Sequence, residues 1–156
     1  MATSAVPNAI TQLLAILAAR PALQQGVLIL DGPPTGDVSQ ADLIAVGWSI
    51  DGDQAVEMTQ NFNAAGARTR NEQFAINGVI DVWNGGDSIA AVRVRTFDLF
   101  AEIEEALRAS ALNPTAPTLN GAVLWAHLTS GVLRQTFTEQ GARVALAFTV
   151  TCQARI

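Results

Sequence analysis

His127 and Cys152 each occur once, and they are the first candidates for a general base and a nucleophile. His127 lies in an extended run in which Val123 and Trp125 share its face. A hydrolytic triad needs a nucleophile and a carboxylate oriented around such an imidazole, and no Gly-x-Ser-x-Gly turn supplies them. A tetrahedral zinc site needs several His or Cys ligands, which one copy of each does not provide. Cys152 falls on the apolar face of an alternating strand and reads as a small core residue. A reactive thiol wants an exposed, electropositive setting instead.

The carboxylates form no stronger pattern. Asp51, Asp53 and Glu57 surround an Asp-Gly turn and lack the ligand spacing of a calcium loop. Glu102, Glu104 and Glu105 fall in a predicted helix, where only 102 and 105 share a face and Arg108 follows Glu104 at i+4. That reads as a solvated, salt-bridged face and not as the carboxylate pair of a glycosidase. Gly85-Gly86 lacks the spacing of a dinucleotide or phosphate-binding fingerprint. Lys and Tyr are absent altogether, which excludes a P-loop lysine, a Schiff-base lysine and a tyrosine general acid. The sequence therefore predicts no catalytic set, no cofactor and no metal; the chain is expected not to be an enzyme.

What remains is carried by arginine and tryptophan. All nine basic residues are Arg. Arg68 and Arg70, on a loop of small residues, can reach carboxylates on a neighbouring subunit. Arg93 and Arg95 come near the start of a long helix, where the dipole favours acids, and are expected to pair with Asp87, Asp98 or a neighbour's acid. Trp48 and Trp125 read as core, whereas Trp83 falls opposite the Ile76/Ile80 face and reads as an interface anchor. Arg143 and Arg155 bracket the outer face of the last strand. The candidate interface residues are thus Arg68, Arg70, Trp83, Arg93, Arg143 and Arg155.

The elements that position these residues follow from periodicity. Residues 7–19 read as a helix, with Ile10, Leu13, Leu14 and Leu17 in a stripe and Pro7 in the first turn. Strands are expected at 27–30, 43–50, 55–62 and 72–83, separated by Asp31-Gly32-Pro33-Pro34, Asp51-Gly52-Asp53 and the small-residue loop 63–71. Asp87 or Ser88 caps a long amphipathic helix over 89–109 that should lie across the sheet. Three strands follow as a meander: 122–129, 132–138 and 141–156, the first two divided by Ser130-Gly131. In the last, Val144, Leu146, Phe148, Val150, Cys152, Ala154 and Ile156 point inward. Its outer face carries Ala145 and Ala147, small uncharged residues that a covering element or a neighbour would suit. The prediction is one α+β domain spanning residues 1–156, a mostly antiparallel sheet with an N-terminal helix and one long helix on one face.

The chain has 156 residues, 49% of them hydrophobic and only 15% charged, with a net charge of −5. So few charges suit a protein that covers part of its surface with other chains. The acidic balance argues against a DNA-reading surface. The longest strictly apolar run, residues 13–19, is far short of the ~20 residues of a membrane-spanning helix. One Cys forms no intramolecular disulfide, and no basic leader precedes the first helix, so an intracellular product without membrane attachment is expected.

The order of these segments carries a resemblance. After the leading helix and the Gly-Pro-Pro break come Arg70-Asn71-Glu72-Gln73-Phe74-Ala75-Ile76 and Val82-Trp83-Asn84-Gly85. The long helix with Arg93 and Phe97 follows, then Leu112-Asn113-Pro114-Thr115, Leu119-Asn120-Gly121-Ala122-Val123 and Gln140-Gly141-Ala142-Arg143, which leads into the final strand. Over roughly residues 5–156 this resembles the tail terminator proteins of long-tailed, siphovirus-type bacteriophages, particularly actinobacterial ones. Ala116-Pro117 before Leu119 departs from the tighter loop of that pattern.

The resemblance implies a tail-terminator-like fold and a homo-oligomeric ring, typically a hexamer, seated on the tail tube. Such a ring ends tube polymerisation and joins the tail to the neck and head. Its partners are other copies of itself, the major tail tube protein and a head-tail connector or neck protein. DNA passes through the lumen without specific binding, and the protein is located in the virion after synthesis in the host cytoplasm. Loops 31–40 and 63–71 are the expected contact segments. Another neck or connector component is the nearest alternative. A small-ligand-binding domain, with the long helix closing a pocket near His127 and Gln73, is a more distant one.

Overall fold

A computed structural model describes residues 2–36, 41–66 and 68–156. The chain is α+β: two helices pack on a mostly antiparallel sheet of six strands. In order these are α1 (Val6–Ala18), β1 (Val27–Asp31), β2 (Asp42–Val46), β3 (Val56–Phe62), β4 (Arg70–Asn84), α2 (Ile89–Ala106), β5 (Trp125–Thr138) and β6 (Gly141–Arg155). The sheet order is β1-β2-β4-β6-β5, with β3 also paired to β4 beyond the end of β2. Among the described residues, only the β1–β2 pair is parallel.

The core lies between the sheet and the two helices. Ala9, Leu13, Ile16 and Leu17 form the buried side of α1, and Val92, Thr96, Leu99, Ile103 and Ala106 that of α2. Spacings of three and four put each set on one stripe. Against them stand Phe74, Ile76, Ile80 and Val82 of β4 and Val144, Leu146, Phe148, Val150, Cys152 and Ala154 of β6. Ser88 caps α2, its hydroxyl accepting from the Ala91 N–H at 3.3 Å. Ala5, at the corresponding place on α1, has no capping side chain of its own. Its N–H donates instead to the Glu72 carboxylate of β4 at 2.7 Å.

Glycine shapes the sheet at two places. Gly78 faces Phe148 across the β4–β6 ladder. A Cβ on residue 78 would lie 2.2 Å from the ring's Cζ, so the aromatic ring rests directly on the glycine backbone. Gly47, at φ 77°, turns the chain out of β2 in a conformation other residues rarely adopt.

The strand predicted over 43–50 therefore stops at Val46. Gly47 and Trp48 donate their N–H groups to the Asn77 carbonyl, and Asn77 N–H in turn donates to the Ala55 carbonyl. Residues 47–55 thus leave the sheet and return to it at a single residue of β4. Trp48 lies half-buried in this excursion and not in a strand.

Two further expectations are corrected. The long helix ends at Ala106, short of 109, with Leu107 as its C-cap. The two strands divided at Ser130-Gly131 are one 14-residue strand, β5. The break is a bulge between Leu128 and Ser130, where the extra residue Thr129 restores the ladder, so a Ser-Gly pair that reads as a turn stays extended.

Candidate assembly interface

The sequence-predicted interface residues are scattered over the sheet's faces and ends, and most are held within the chain. Arg143 extends over the face of β6 away from the helices. Its guanidinium donates to both oxygens of Asp81 on β4, at 3.0 and 2.6 Å, and lies 4.7 Å from the centre of the Trp83 ring. Trp83 and Arg143 are cross-strand partners, with Asp81 one step along the same face. The carboxylate holds the guanidinium charged and pushes the Arg143 pKa above its ordinary value, against the smaller opposing effect of burial. The Trp83 indole N–H is buried and meets no acceptor among the described residues.

Arg93 donates to the Gln135 side chain at 2.8 Å and ties α2 to β5. Arg95 pairs with Asp42 at 2.8 Å on the opposite flank of the helix. Neither uses Asp87 or Asp98, because both reach sideways to strands and not along their own helix. Arg70 begins β4, donates to Gln60 at 3.0 Å and sits 5.9 Å from the centre of the Phe62 ring. Arg155 is exposed and donates to Asn71 at 3.3 Å. Arg68 is exposed in the connection before β4. Of the expected contact loops, residues 37–40 and 67 lie outside the described residues.

The small outer face of β6 is partly covered by the chain itself. Ala145 is buried together with Leu43, Ala45 and Val79, a set on the side of the sheet away from the helices. Arg134 of β5, which stands opposite Ala145, reaches Asp51 of the 47–55 excursion at 2.6 Å. That ion pair spans from the excursion to the far strand, across the β6 alanines.

The surface that the sequence left unmarked is β5. Its residues 129–137 are all exposed, including Val132 (56%), Leu133 and Phe137 (64%). Phe97 of α2 is exposed on the flank that Arg93 and Phe100 turn toward this strand. On β3, Met58 and Phe62 are exposed as well. Dividing β5 into two short pieces concealed it, because neither piece alone is a long open edge.

The lone chemistry-bearing side chains stay apart. His127 is exposed and stacks against Trp125, ring centres 5.1 Å apart. Trp125 is half-buried on that outer face and not in the core. Burial pushes the Cys152 thiol up to about 12. Among the described residues, no three His, Cys, Asp or Glu side chains come together as a metal set. No described helix is long and apolar enough to cross a membrane. A cleft of about 330 Å³ lies between the end of α1 and the segment after α2, lined by Ile16, Arg20, Pro21, Ala106 and Leu112. It lies away from both His127 and Gln73. No family model and no curated protein matches this sequence.

Proposed function

We propose that this chain is a structural virion protein: a subunit of a hexameric ring that caps the tail tube of a long-tailed bacteriophage and joins it to the neck. The segment order resembling tail terminators supports this reading. The structural observation that carries it is β5, a long strand with one open edge and exposed apolar side chains on both faces. Open edges of this kind template pairing with another chain, and soluble monomers ordinarily blunt them. Residues 129–137 contain one charge, Arg134, and no proline.

In this reading the protein works by shape. One side of the ring matches the last layer of tube subunits, the other does not, and addition stops. A closed ring of identical subunits uses two different patches on each, so complementary edges are required. The net charge of −5 keeps passing DNA from adhering to the lumen. Addition of the purified protein to polymerising tube protein from the same virion tests the proposal. Tubes should stop short, each with a ring on one end. Unaltered tube length and bare ends would overturn it.

A further inference from the structure

We infer that the open edge of β5 pairs with the open edge of β1 in a second copy of this chain, antiparallel, so that the sheet continues from subunit to subunit. This inference rests on the ring reading above and specifies its contact.

The two edges are the opposite ends of one sheet path. Among the described residues, no backbone hydrogen bond reaches the outer side of either strand. Their directions follow from the pairing. β1 runs parallel to β2, and each step from β2 through β4 and β6 to β5 is antiparallel. β1 and β5 therefore run in opposite senses. A copy rotated about an axis along the strands brings its β1 antiparallel to β5.

The register follows from two rows of side chains that cross the whole sheet. On the helix side, Ile29, Ile44, Ile80, Leu146 and Leu133 are successive cross-strand partners. On the other side, Leu30, Ala45, Val79, Ala147 and Val132 are likewise successive partners. Both rows are aliphatic from end to end, and both stop at open edges. Placing Leu133 opposite Ile29 of the next copy, and Val132 opposite Leu30, continues both rows without a shift along the strands.

Faces agree in this register, since residues directly opposite in an antiparallel pair point the same way. No like charges meet in this register: Asp31, the only charged residue of β1, falls opposite Gly131, and Arg134, the only one of residues 129–137, falls opposite Leu28. The contact is heterologous, as a ring requires.

Disulfide trapping in the full chain tests this. Leu30→Cys and Val132→Cys are made as separate proteins, mixed and oxidised. Leu28→Cys with Arg134→Cys forms a second pair in the same register, both at exposed positions. Buried Cys152 supplies no competing thiol. Each mixture should give a linked dimer that neither variant gives alone. Leu30→Cys mixed with Leu133→Cys should give none, because these side chains point to opposite faces. Self-linking of Val132→Cys or Arg134→Cys would mean that β5 pairs with β5, and would overturn the inference. No linkage while the parent protein sediments as a closed oligomer overturns this contact and leaves the ring reading standing. No linkage with a parent that stays monomeric at high concentration overturns both.

Discussion

Replacing Glu72 with Gln tests how the N-terminal helix is held to the sheet. The side chain is fully buried. One oxygen accepts the Ala5 N–H at 2.7 Å, and the other accepts the Gln60 amide at 2.7 Å. Ala5 is the N-cap of α1, so a β4 carboxylate takes the place of a capping side chain, where the positive end of the helix dipole favours negative charge. Burial pushes the Glu72 pKa up, but the hydrogen bonds around it and the charge of Arg70 prevail, leaving it below the ordinary 4.5. Glu72→Gln keeps the size, removes the charge and turns an N–H₂ toward one of two donors. Losing one charge-assisted bond of this kind costs about 2 kcal/mol. In urea unfolding near neutral pH, that is a midpoint lowered by about 1 M at a slope of about 2 kcal/mol/M. The sign with pH follows from the lowered pKa. The parent's advantage is complete above the unfolded-state value near 4.5 and is lost as pH falls through the lower folded-state value. The two proteins should thus converge in acid. A variant as stable as the parent at neutral pH, or a gap that persists unchanged in acid, would refute this role for Glu72.

Other substitutions probe the sheet. Gly78→Ala should destabilise by about 1–3 kcal/mol, because the added methyl meets the Phe148 ring. With Phe148→Leu already present the same change should cost clearly less, and simple additivity in a double-mutant cycle would contradict the close approach. Arg143→Ala removes the bidentate pair with Asp81 and the contact over Trp83, and should cost about 1–2 kcal/mol with a changed tryptophan emission; Arg143→Lys should restore only part, since an ammonium lacks the planar fork. Cys152, buried and with its thiol pushed up to about 12, should resist a thiol reagent until the protein is unfolded; fast labelling of the native protein would contradict its place in the closed core.

How much of this was legible in the sequence depends on the element. The β6 alternation gives its inward residues directly, and the three-and-four spacing of apolar residues along the long helix marks its buried side, Val92, Thr96, Leu99, Ile103 and Ala106, because both patterns arise from burial on one face. Gly47 ending β2 was hidden, since Leu43 to Ile50 alternates well enough on paper and only the exit to Asn77 breaks it. The continuity of β5 was hidden for the opposite reason. Ser130-Gly131 has turn composition, yet a bulge absorbs it, and local residue preference carries no information about the paired strand. Arg93 and Arg143 were found as residues but not by their partners, and Arg134 was not singled out at all. Arg143 with Asp81, Arg93 with Gln135 and Arg134 with Asp51 all join segments far apart in sequence. Glu72 carried no signal, because its helix-capping role depends on how β4 meets α1.

Assembly into a closed ring is what the proposed function requires of this protein. Its most direct test is the mass of the untagged protein by sedimentation across a wide concentration range, with images of the same sample. One species of about six subunits with a central opening is the expected result. A single monomeric species at every concentration, with no ring in the images, would contradict it.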